Sequence, residues 1–438
     1  MKVSRVRVLL SLIPVAALLA ALSAGTPAYA SSVANPGPLA DRTSYSAEMA
    51  KLKLTEHQVS PATISALDGQ MPNVGVDTVL KSANHSMRDR ADCQGSELAA
   101  LPVKPTAGAA YCWDTGDSVS QDWVPQGLTS SGDADDDGMW GTNKLILSGW
   151  TESSTSARVA FIDASDPAHL KYRWVLLVIP TDGGNNFARF GSHVGGMVWF
   201  GDNLIVTGRA GDGSNNALYV FSMKHILQAQ VNSTAVGKVS GGFSADGYQY
   251  VMPAVGSYSQ PGACTMANDT AIPCFASVSL DRTTTPFSIV ANEWFSSSGG
   301  PAARIFRYEL AAPGGGMPLE DSGTGTVNAG QLLKSSAVGL QSVLAHAGTY
   351  YGADARGGVG QSGVMWRMRT SGGTTSDTCG SGDTDNACWA QHSEGISLWW
   401  STQEVWSQTE WAADGSGDPH GTPVVPQRVL FSVPLSSM

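Results

Sequence analysis

Proton-transfer chemistry could be carried by one histidine and three glutamates that open or follow apolar segments of this 438-residue chain: His193, Glu293, Glu394 and Glu410. Two carboxyl groups can cleave a glycosidic bond when one donates a proton and the other acts as base or nucleophile. An imidazole transfers protons near neutral pH. Because only 14% of the residues are charged, these four side chains predict an acid–base site, provided that the fold brings them together.

Five further polar side chains occupy corresponding positions along the chain and are predicted to bind substrate. They are Gln126, Arg209, Gln341, Asp354 and Arg356. The amides can hydrogen-bond neutral groups, and the two arginines can hold an anionic group or stabilise developing charge. The sequence contains neither the G-x-S-x-G pattern of a serine nucleophile nor the H-E-x-x-H pattern of a zinc protease.

A third kind of chemistry is indicated by the stretch "GDADDDGMWG" at 132–141. Asp133, Asp135 and Asp137 follow the D-x-D-x-D-G spacing that places alternate carboxylates around Ca²⁺. The complete EF-hand pattern fails, because its twelfth position is Lys144 rather than a glutamate. The stretch predicts a structural calcium loop, and a solvated acidic hairpin is the alternative.

The elements that must position these residues form a repeat. Five segments share a plan of short apolar strands separated by Gly-, Asn- and Asp-rich turns, with a fourth strand visible at 171–178 and 248–255. Alternating apolar residues between such turns are typical of strands. Four-stranded units repeated around an axis form a β-propeller. The sequence therefore predicts an all-β fold, a five-bladed propeller, whose blades open at Gln126, Gly195, Ser279, Gln341 and Glu394.

The repeat also predicts where the site lies. Neighbouring strands of such a unit are antiparallel, so the start of the first strand and the end of the second share one face. The candidate catalytic and binding residues all fall near those two points, whereas the acidic run joins strands one and two of the first unit. We therefore expect a polar site at one mouth of a central channel, with the acidic run on the opposite face.

The chain divides into three parts. Residues 1–30 have a basic start, a short apolar run and a small-x-small motif, which predict a secretory signal peptide. Residues 31–112 mix helical patterns and lack strand alternation, so they form a partly helical arm or a removable pro-segment. Within them, 103–113 could return a strand that closes the ring. Residues 113–438 form the propeller domain.

Compartment and partners follow from cysteines and charge. The six cysteines fall in close pairs, Cys93/Cys112, Cys264/Cys274 and Cys379/Cys388, which favours three disulfides in an exported protein. The formal net charge is −11 and becomes −14 without the signal peptide. An acidic chain argues against nucleic-acid binding and against attachment to anionic membranes. The sequence does not specify an oligomeric state.

The motifs "WVPQGL", "GGMVWFGDNLIV" and "EGISLW" resemble a group of actinobacterial secreted propeller-like proteins. That group carries no assigned activity, so the resemblance implies a fold and little about substrate. The "EG" that opens the last unit is similar, more weakly, to the six-bladed gluconolactonase-type family. In that comparison only Glu394 matches a metal ligand, and the expected Asn and Asp partners are not evident.

Three functions are compatible with these patterns. The first is a secreted hydrolase or lyase that acts on an extracellular carbohydrate or small molecule at the channel mouth. The second is a non-catalytic propeller that binds carbohydrate or cell wall, and the third is a metal-dependent lactonase or esterase in which Glu394 is a ligand. The unequal blade openings favour a single asymmetric site over repeated binding sites.

Overall fold

A computed structural model describes residues 36–210, 214–296, 300–314, 316–356, 360–380, 386–414 and 423–438. The predicted signal peptide, residues 1–30, lies outside the described residues. The structure is mostly β, with 42% strand and 11% helix. Three disulfides are present, Cys93–Cys112, Cys264–Cys274 and Cys379–Cys388. The predicted pairing is therefore confirmed, and these bonds are consistent with an extracellular protein.

The first part of the described chain alternates short helices and strands. Helix α2 (Pro61–Asp68) has a strong start signal. The Ser60 hydroxyl accepts a hydrogen bond from the Thr63 N–H at 3.2 Å, and Pro61 occupies the first turn. The elements are β1 (Ala40–Asp41), α1 (Ser46–Met49), β2 (Leu54–Gln58), α2 (Pro61–Asp68), α3 (Gly75–Lys81), β3 (His85–Ser86), β4 (Arg88–Asp89), α4 (Gly95–Ala99) and β5 (Ala110–Cys112).

The next two groups of strands are antiparallel meanders. The first group consists of β6 (Val124–Ser130), α5 (Ser131–Ala134), β7 (Leu145–Glu152), β8 (Ser156–Asp163), β9 (Lys171–Thr181) and β10 (Asn186–Arg189). The second consists of β11 (Met197–Phe200), β12 (Asn203–Gly208), β13 (Ala217–Ser222), β14 (Leu227–Gln228), β15 (Val236–Val239), β16 (Gly242–Ala245) and β17 (Tyr250–Ser259). Both predicted fourth strands are observed, as β9 and β17.

These two groups join into one mixed sheet of eight strands, in the order β11-β12-β13-β17-β9-β8-β7-β6. The junction is the parallel pair β9 and β17. Strand β6 at one end of the order contacts β11 at the other. The sheet is therefore nearly closed and barrel-like.

Three more groups complete the described chain. The third consists of β18 (Ser277–Asp281), β19 (Ser288–Asn292), β20 (Arg304–Glu309), β21 (Thr326–Val327) and β22 (Gln331–Lys334). The fourth consists of β23 (Leu340–His346), β24 (Thr349–Asp354) and β25 (Val364–Met368). The fifth consists of β26 (Ser393–Trp399), β27 (Glu404–Thr409), β28 (Ala412–Asp414), β29 (Val424–Pro426) and β30 (Val429–Pro434).

The N-terminal segment supplies strands to the sheets of other groups. Strand β1 pairs with β22, and β2 pairs with β17 and β21. Strand β5 pairs with β30, so the strand expected within 103–113 is Ala110–Cys112 and lies in the sheet of the fifth group. Removal of residues 31–112 as a pro-segment stays a prediction from the sequence.

The first strands of the five groups form a ring of contacts. In order, β6 contacts β11, β11 contacts β18, β18 contacts β23, β23 contacts β26, and β26 contacts β6. Each pair of neighbouring groups also shares one hydrophobic core. Strand β11 shows why: Met197 and Trp199 face the first group, whereas Val198 and Phe200 face the third. This alternation is the period of a strand that is buried on both faces.

The first strands β26 and β6 approach each other so closely that the position after Glu394 requires glycine. Gly395 has a φ of +63°, and a Cβ there would lie 2.7 Å from the Leu128 backbone nitrogen. Only a residue without a side chain fits both the left-handed conformation and this contact between β26 and β6. The glycine that follows Glu394 therefore lets the fifth group pack against the first.

Candidate active site

A cavity of about 370 Å³ lies where the five first strands begin, and we call it the mouth cavity. Every first strand contributes one residue at or just before its start. These residues are Gln126, Gly195, Ala276, Gln341 and Glu394. His193, Arg209, Asn215, Trp294, Met266 and Phe275 also line this cavity. The convergence of strand starts that the repeat predicts is thus present in the described structure.

Three of the first strands carry a β-bulge beside their polar residue. The register shifts between Pro125 and Leu128 in β6, between Leu340 and Ser342 in β23, and between Glu394 and Ile396 in β26. A bulge inserts one extra residue and re-aims the local side chains. Gln126, Gln341 and Glu394 therefore lie at equivalent irregularities, and all three line the mouth cavity.

A second cavity of about 250 Å³ adjoins the first, and we call it the side cavity. It is lined by Gln126, Ser154 and His193, which also line the mouth cavity, and by Glu410, Trp411 and Arg428 among others. Because the two cavities share three lining residues, a ligand that fills both would contact Glu394 at one end and Glu410 at the other.

Glu394 is almost fully buried, with 2% of its surface exposed. Its carboxyl group accepts a hydrogen bond from the Gln341 side-chain amide. Burial raises the pKa of Glu394 well above its ordinary value, and the neighbouring charge of Glu410 raises it further. Both effects favour the protonated form of Glu394, the form that can donate a proton.

Glu410 follows β27 and is held by two donors. Its Oε1 accepts from the Gln126 amide at 2.6 Å, and its Oε2 accepts from the Trp411 indole at 3.0 Å. Burial raises the pKa of Glu410 to about 7, although these hydrogen bonds and Arg428 act in the opposite direction. Glu410 therefore changes charge near neutral pH.

The two glutamates lie at the same end of a strand pair. Glu394 is paired in register with Gln408, and the Glu410 N–H donates to the His392 carbonyl at 3.0 Å. The charge of Glu410 acts on Glu394, so the two carboxyl groups interact. Two interacting carboxyl groups give up their protons in sequence, which leaves one acid and one base over a range of pH.

His193 lies between the two cavities and is uncharged at neutral pH. Burial lowers the pKa of His193 to about 4, and the positive charge of Arg209 contributes. Its neutral ring can accept or donate one hydrogen bond to a ligand. The structure thus places this predicted catalytic residue beside Glu394 and Glu410 in the cavity lining.

Glu293, the fourth predicted catalytic residue, is engaged elsewhere. Its two carboxylate oxygens accept from Arg304 Nε at 2.6 Å and from a terminal Arg304 nitrogen at 2.7 Å. Both side chains are buried, and Glu293 lines neither the mouth cavity nor the side cavity. We therefore leave Glu293 out of the proposed site and assign it to a buried ion pair between β19 and β20.

Asp354 and Arg356 also pair with each other. The Arg356 Nε donates to Asp354 at 2.7 Å, and burial raises the pKa of Asp354 to about 6 against the opposing effect of Arg356. Neither residue lines the mouth cavity or the side cavity. Of the five predicted binding residues, the structure brings Gln126, Arg209 and Gln341 to the cavities and leaves this pair outside them.

The acidic run lies at the other end of the ring. Helix α5 contains Asp133 and contacts β11 and β26, so it covers the ends of the first strands opposite the mouth cavity. Asp133 is buried, and it accepts from the Thr129 and Ser397 hydroxyls at 2.7 and 2.8 Å and from the Trp400 indole at 3.2 Å. Both of its oxygens are thus occupied by protein donors. Asp135 and Asp137 are exposed.

We expect that replacing Asp133 by alanine lowers the free energy of unfolding by about 1–3 kcal/mol, because buried donors lose their acceptor. Replacing the exposed Asp135 should change it by less than about 0.5 kcal/mol. Chemical denaturation in calcium and in chelator measures both effects. The structure leads us to expect the same stability in the two solutions. A calcium-dependent gain that Asp135→Ala abolishes would instead support the calcium loop of Asp133, Asp135 and Asp137.

Several cavity residues were not predicted from the sequence. Arg428 is buried and donates to the Glu410 and Asp117 backbone carbonyls at 2.7 and 2.8 Å. Trp411 and Trp294 also line the cavities. Each tryptophan directly follows a glutamate that the sequence singled out, which is the one signal that could have identified them. Arg428 has no such local signal.

A metal at Glu394 receives no support from its surroundings. Among the described residues, the groups of three or more His, Cys, Asp or Glu ligands are His85 with Asp114 and Asp117, and Cys93 with Glu97 and Cys112. Neither group includes Glu394, and two members of the second form a disulfide. The lactonase-type alternative therefore has no ligand set in the described part of the chain.

Comparison with known proteins assigns no family. No family model matches the chain, and no curated protein matches it. A solved structure described as "Glycoside hydrolase" aligns over 82% of this chain and 94% of its own, at 10% identity and a TM-score of 0.28. A likeness this distant carries no argument. The function must therefore be argued from the site itself.

No described helix has the combination of length and apolar character needed to cross a membrane.

Proposed function

We propose that this protein is a secreted hydrolase that cleaves glycosidic bonds in an extracellular carbohydrate, with Glu394 as general acid and Glu410 as general base. The observation that carries the proposal is the pair of interacting buried glutamates at two adjoining cavities, each with a raised pKa. Two interacting carboxyl groups lose their protons in sequence, so one can act as acid while the other acts as base.

In the proposed mechanism, Glu394 donates its proton to the oxygen of the glycosidic bond as that bond breaks. Ionised Glu410 removes a proton from water, whose oxygen bonds to the anomeric carbon. The Gln341 and Gln126 amides orient the two carboxyl groups through their hydrogen bonds. Neutral His193 contacts the ligand from the wall that both cavities share. Trp411 and Trp294 provide apolar surface for sugar rings.

The architecture that we propose for this function is a five-bladed β-propeller. It is supported by the closed ring of contacts among the five first strands and by the five hydrophobic cores between neighbouring groups. A propeller brings strand starts from every blade to one mouth. Export is supported by the three disulfides and by the signal peptide predicted at 1–30.

A panel of neutral and acidic polysaccharides, lactones and esters tests the proposal. Wild-type protein is compared with Glu394→Gln, with Glu410→Gln and with the control Glu404→Gln, which changes a glutamate at the far end of β27. We expect cleavage of a glycan by wild type and the control but not by the other two variants. Binding without turnover across the panel would favour the non-catalytic alternative instead.

The pH dependence of kcat/KM should report the ionisation of Glu410 and Glu394. Burial raises the pKa of Glu410 to about 7, so its basic form accumulates as the pH rises through about 7. Glu394 keeps its proton until higher pH, because burial and ionised Glu410 raise its pKa. We therefore expect kcat/KM to rise through about pH 7 and to fall at higher pH. Initial rates from about pH 4 to about pH 10 measure this, and a rising limb near pH 4 would contradict it.

A further inference from the structure

One guanidinium in the mouth cavity, that of Arg209, has no hydrogen-bond partner among the described residues. Arg209 directly follows β12 and lines this cavity. Its side chain donates no hydrogen bond to a described residue, and its Nε is buried without an acceptor. The other arginines of the described chain each donate at least one side-chain hydrogen bond. Arg209 is thus the exception among them.

The buried Nε of Arg209 costs free energy while it lacks an acceptor. A polar group withdrawn from water without a hydrogen-bond partner loses solvation that the protein interior does not replace. Elsewhere the chain avoids this cost by pairing its buried arginines, as in Arg304 with Glu293 and Arg307 with Asp281. An anion that entered the mouth cavity would give Arg209 the partner that those residues already have.

The other groups that line the mouth cavity do not neutralise Arg209. His193 carries no charge at neutral pH, because burial and Arg209 lower its pKa to about 4. Burial raises the pKa of Glu394, which favours its uncharged form. Gln126, Gln341 and Asn215 are uncharged amides. Among the described lining residues, Arg209 is therefore the one cation at neutral pH, although the whole chain has a formal net charge of −11.

We propose that the mouth cavity binds a sugar that carries an anionic substituent, a carboxylate or a sulfate, and that Arg209 pairs with that substituent. The planar guanidinium offers two parallel N–H donors, which match the oxygens of such groups. The sugar part of this proposal rests on the proposed glycan-cleaving function, whereas the anionic part rests on Arg209. A cavity of about 370 Å³ is within the size range of ligand sites, so it can hold a sugar unit.

Calorimetric titration of the full chain with matched sugars tests the proposal. The first pair is a set of uronic-acid oligosaccharides and their methyl esters, which differ in charge but keep the sugar ring. The second pair is a sulfated oligosaccharide and its unsulfated parent, so the two pairs distinguish carboxylate from sulfate. The variants are Arg209→Gln, Arg209→Lys and the control Arg369→Gln, which changes an exposed arginine.

We expect wild type to bind at least one anionic sugar about 10-fold more tightly than its neutral match. Arg209→Gln should abolish this difference, Arg209→Lys should retain part of it, and Arg369→Gln should leave it unchanged. Equal affinity for both members of each pair in wild type would overturn the proposal, as would a preference that persists in Arg209→Gln.

The turnover assay separates this proposal from the proposed function. If wild type cleaves a glycan but binds the anionic and neutral member of each pair equally well, the anionic-sugar proposal is overturned and the hydrolase proposal stands. If an anionic sugar binds through Arg209 but no glycan is cleaved, the hydrolase proposal is overturned and the anion site stands.

Discussion

Replacing Glu394 by glutamine is expected to lower kcat by about 10²–10⁴-fold, the usual contribution of a positioned proton donor. Glutamine keeps the shape of the protonated carboxyl group but has no acidic proton to give. Burial raises the pKa of Glu394 in the folded protein, so the carboxyl group ionises more readily in the unfolded chain. We therefore expect the thermal unfolding midpoint of Glu394→Gln at neutral pH to be at least that of wild type, because glutamine removes this ionisation.

Stability measured against pH provides an independent check on the same residue. The pKa of Glu394 is raised in the folded state, so its stabilising contribution is fully present below the unfolded pKa. That contribution is lost as the pH rises through the folded pKa. Wild type should therefore lose more stability than Glu394→Gln does as the pH rises from the unfolded to the folded pKa of Glu394.

Glu404→Gln, on the same strand pair, serves as the matched control for activity. Full activity in Glu394→Gln, with Glu404→Gln also active, would remove Glu394 from the chemistry.

Replacing Glu293 by glutamine is expected to lower the free energy of unfolding by about 3–5 kcal/mol, because it leaves the buried Arg304 charge without its partner. Arg304 Nε lies 2.6 Å from Glu293, and both residues are at most 2% exposed. This ion pair links the residue after β19 to the first residue of β20. Neither partner lines the mouth cavity or the side cavity. Folded Glu293→Gln protein should therefore keep the kcat of wild type, as measured by glycan cleavage below the unfolding transition.

A double variant separates the ion pair from a catalytic role. Glu293→Leu with Arg304→Met replaces two charges by apolar groups of similar size, which often restores stability. We expect this variant to be more stable than Glu293→Gln and to remain active. A loss of kcat in both variants while they remain folded would return Glu293 to the catalytic group.

Much of the site was predictable because strand patterns are local. Apolar alternation and turn residues located the five strand starts, and the antiparallel order of a meander placed Gln126, His193, Gln341 and Glu394 at one end. The structure brings all four to the mouth cavity. The acidic run joins β6 to β7, as the repeat predicts, and helix α5 within it contacts β11 and β26.

Which side chains pair with each other was less predictable from the sequence, because pairing depends on strand register and on contacts between residues far apart in the chain. Glu293 was assigned to chemistry, since the sequence does not show that Arg304 lies opposite it across the β19–β20 connection. Asp133 was assigned to calcium, although its donors Ser397 and Trp400 lie more than 260 residues away in sequence. Arg428 reaches Glu410 because β30 pairs with β27, which the composition of β30 does not reveal.

The sequence by itself indicated the repeated strand-rich segments and the three pairs of cysteines, because each depends on neighbours along the chain. It did not give the strand bounds, since the third unit was expected to open at Ser279 and β18 begins at Ser277. Only the tertiary structure decided which polar groups face a cavity and which are paired inside the protein. Charge state follows from that choice, since burial and neighbouring charges set whether a carboxyl group is a proton donor, a base or half of an ion pair. That is why we propose three different roles in the folded chain for Glu394, Glu410 and Glu293, which are chemically identical in the sequence.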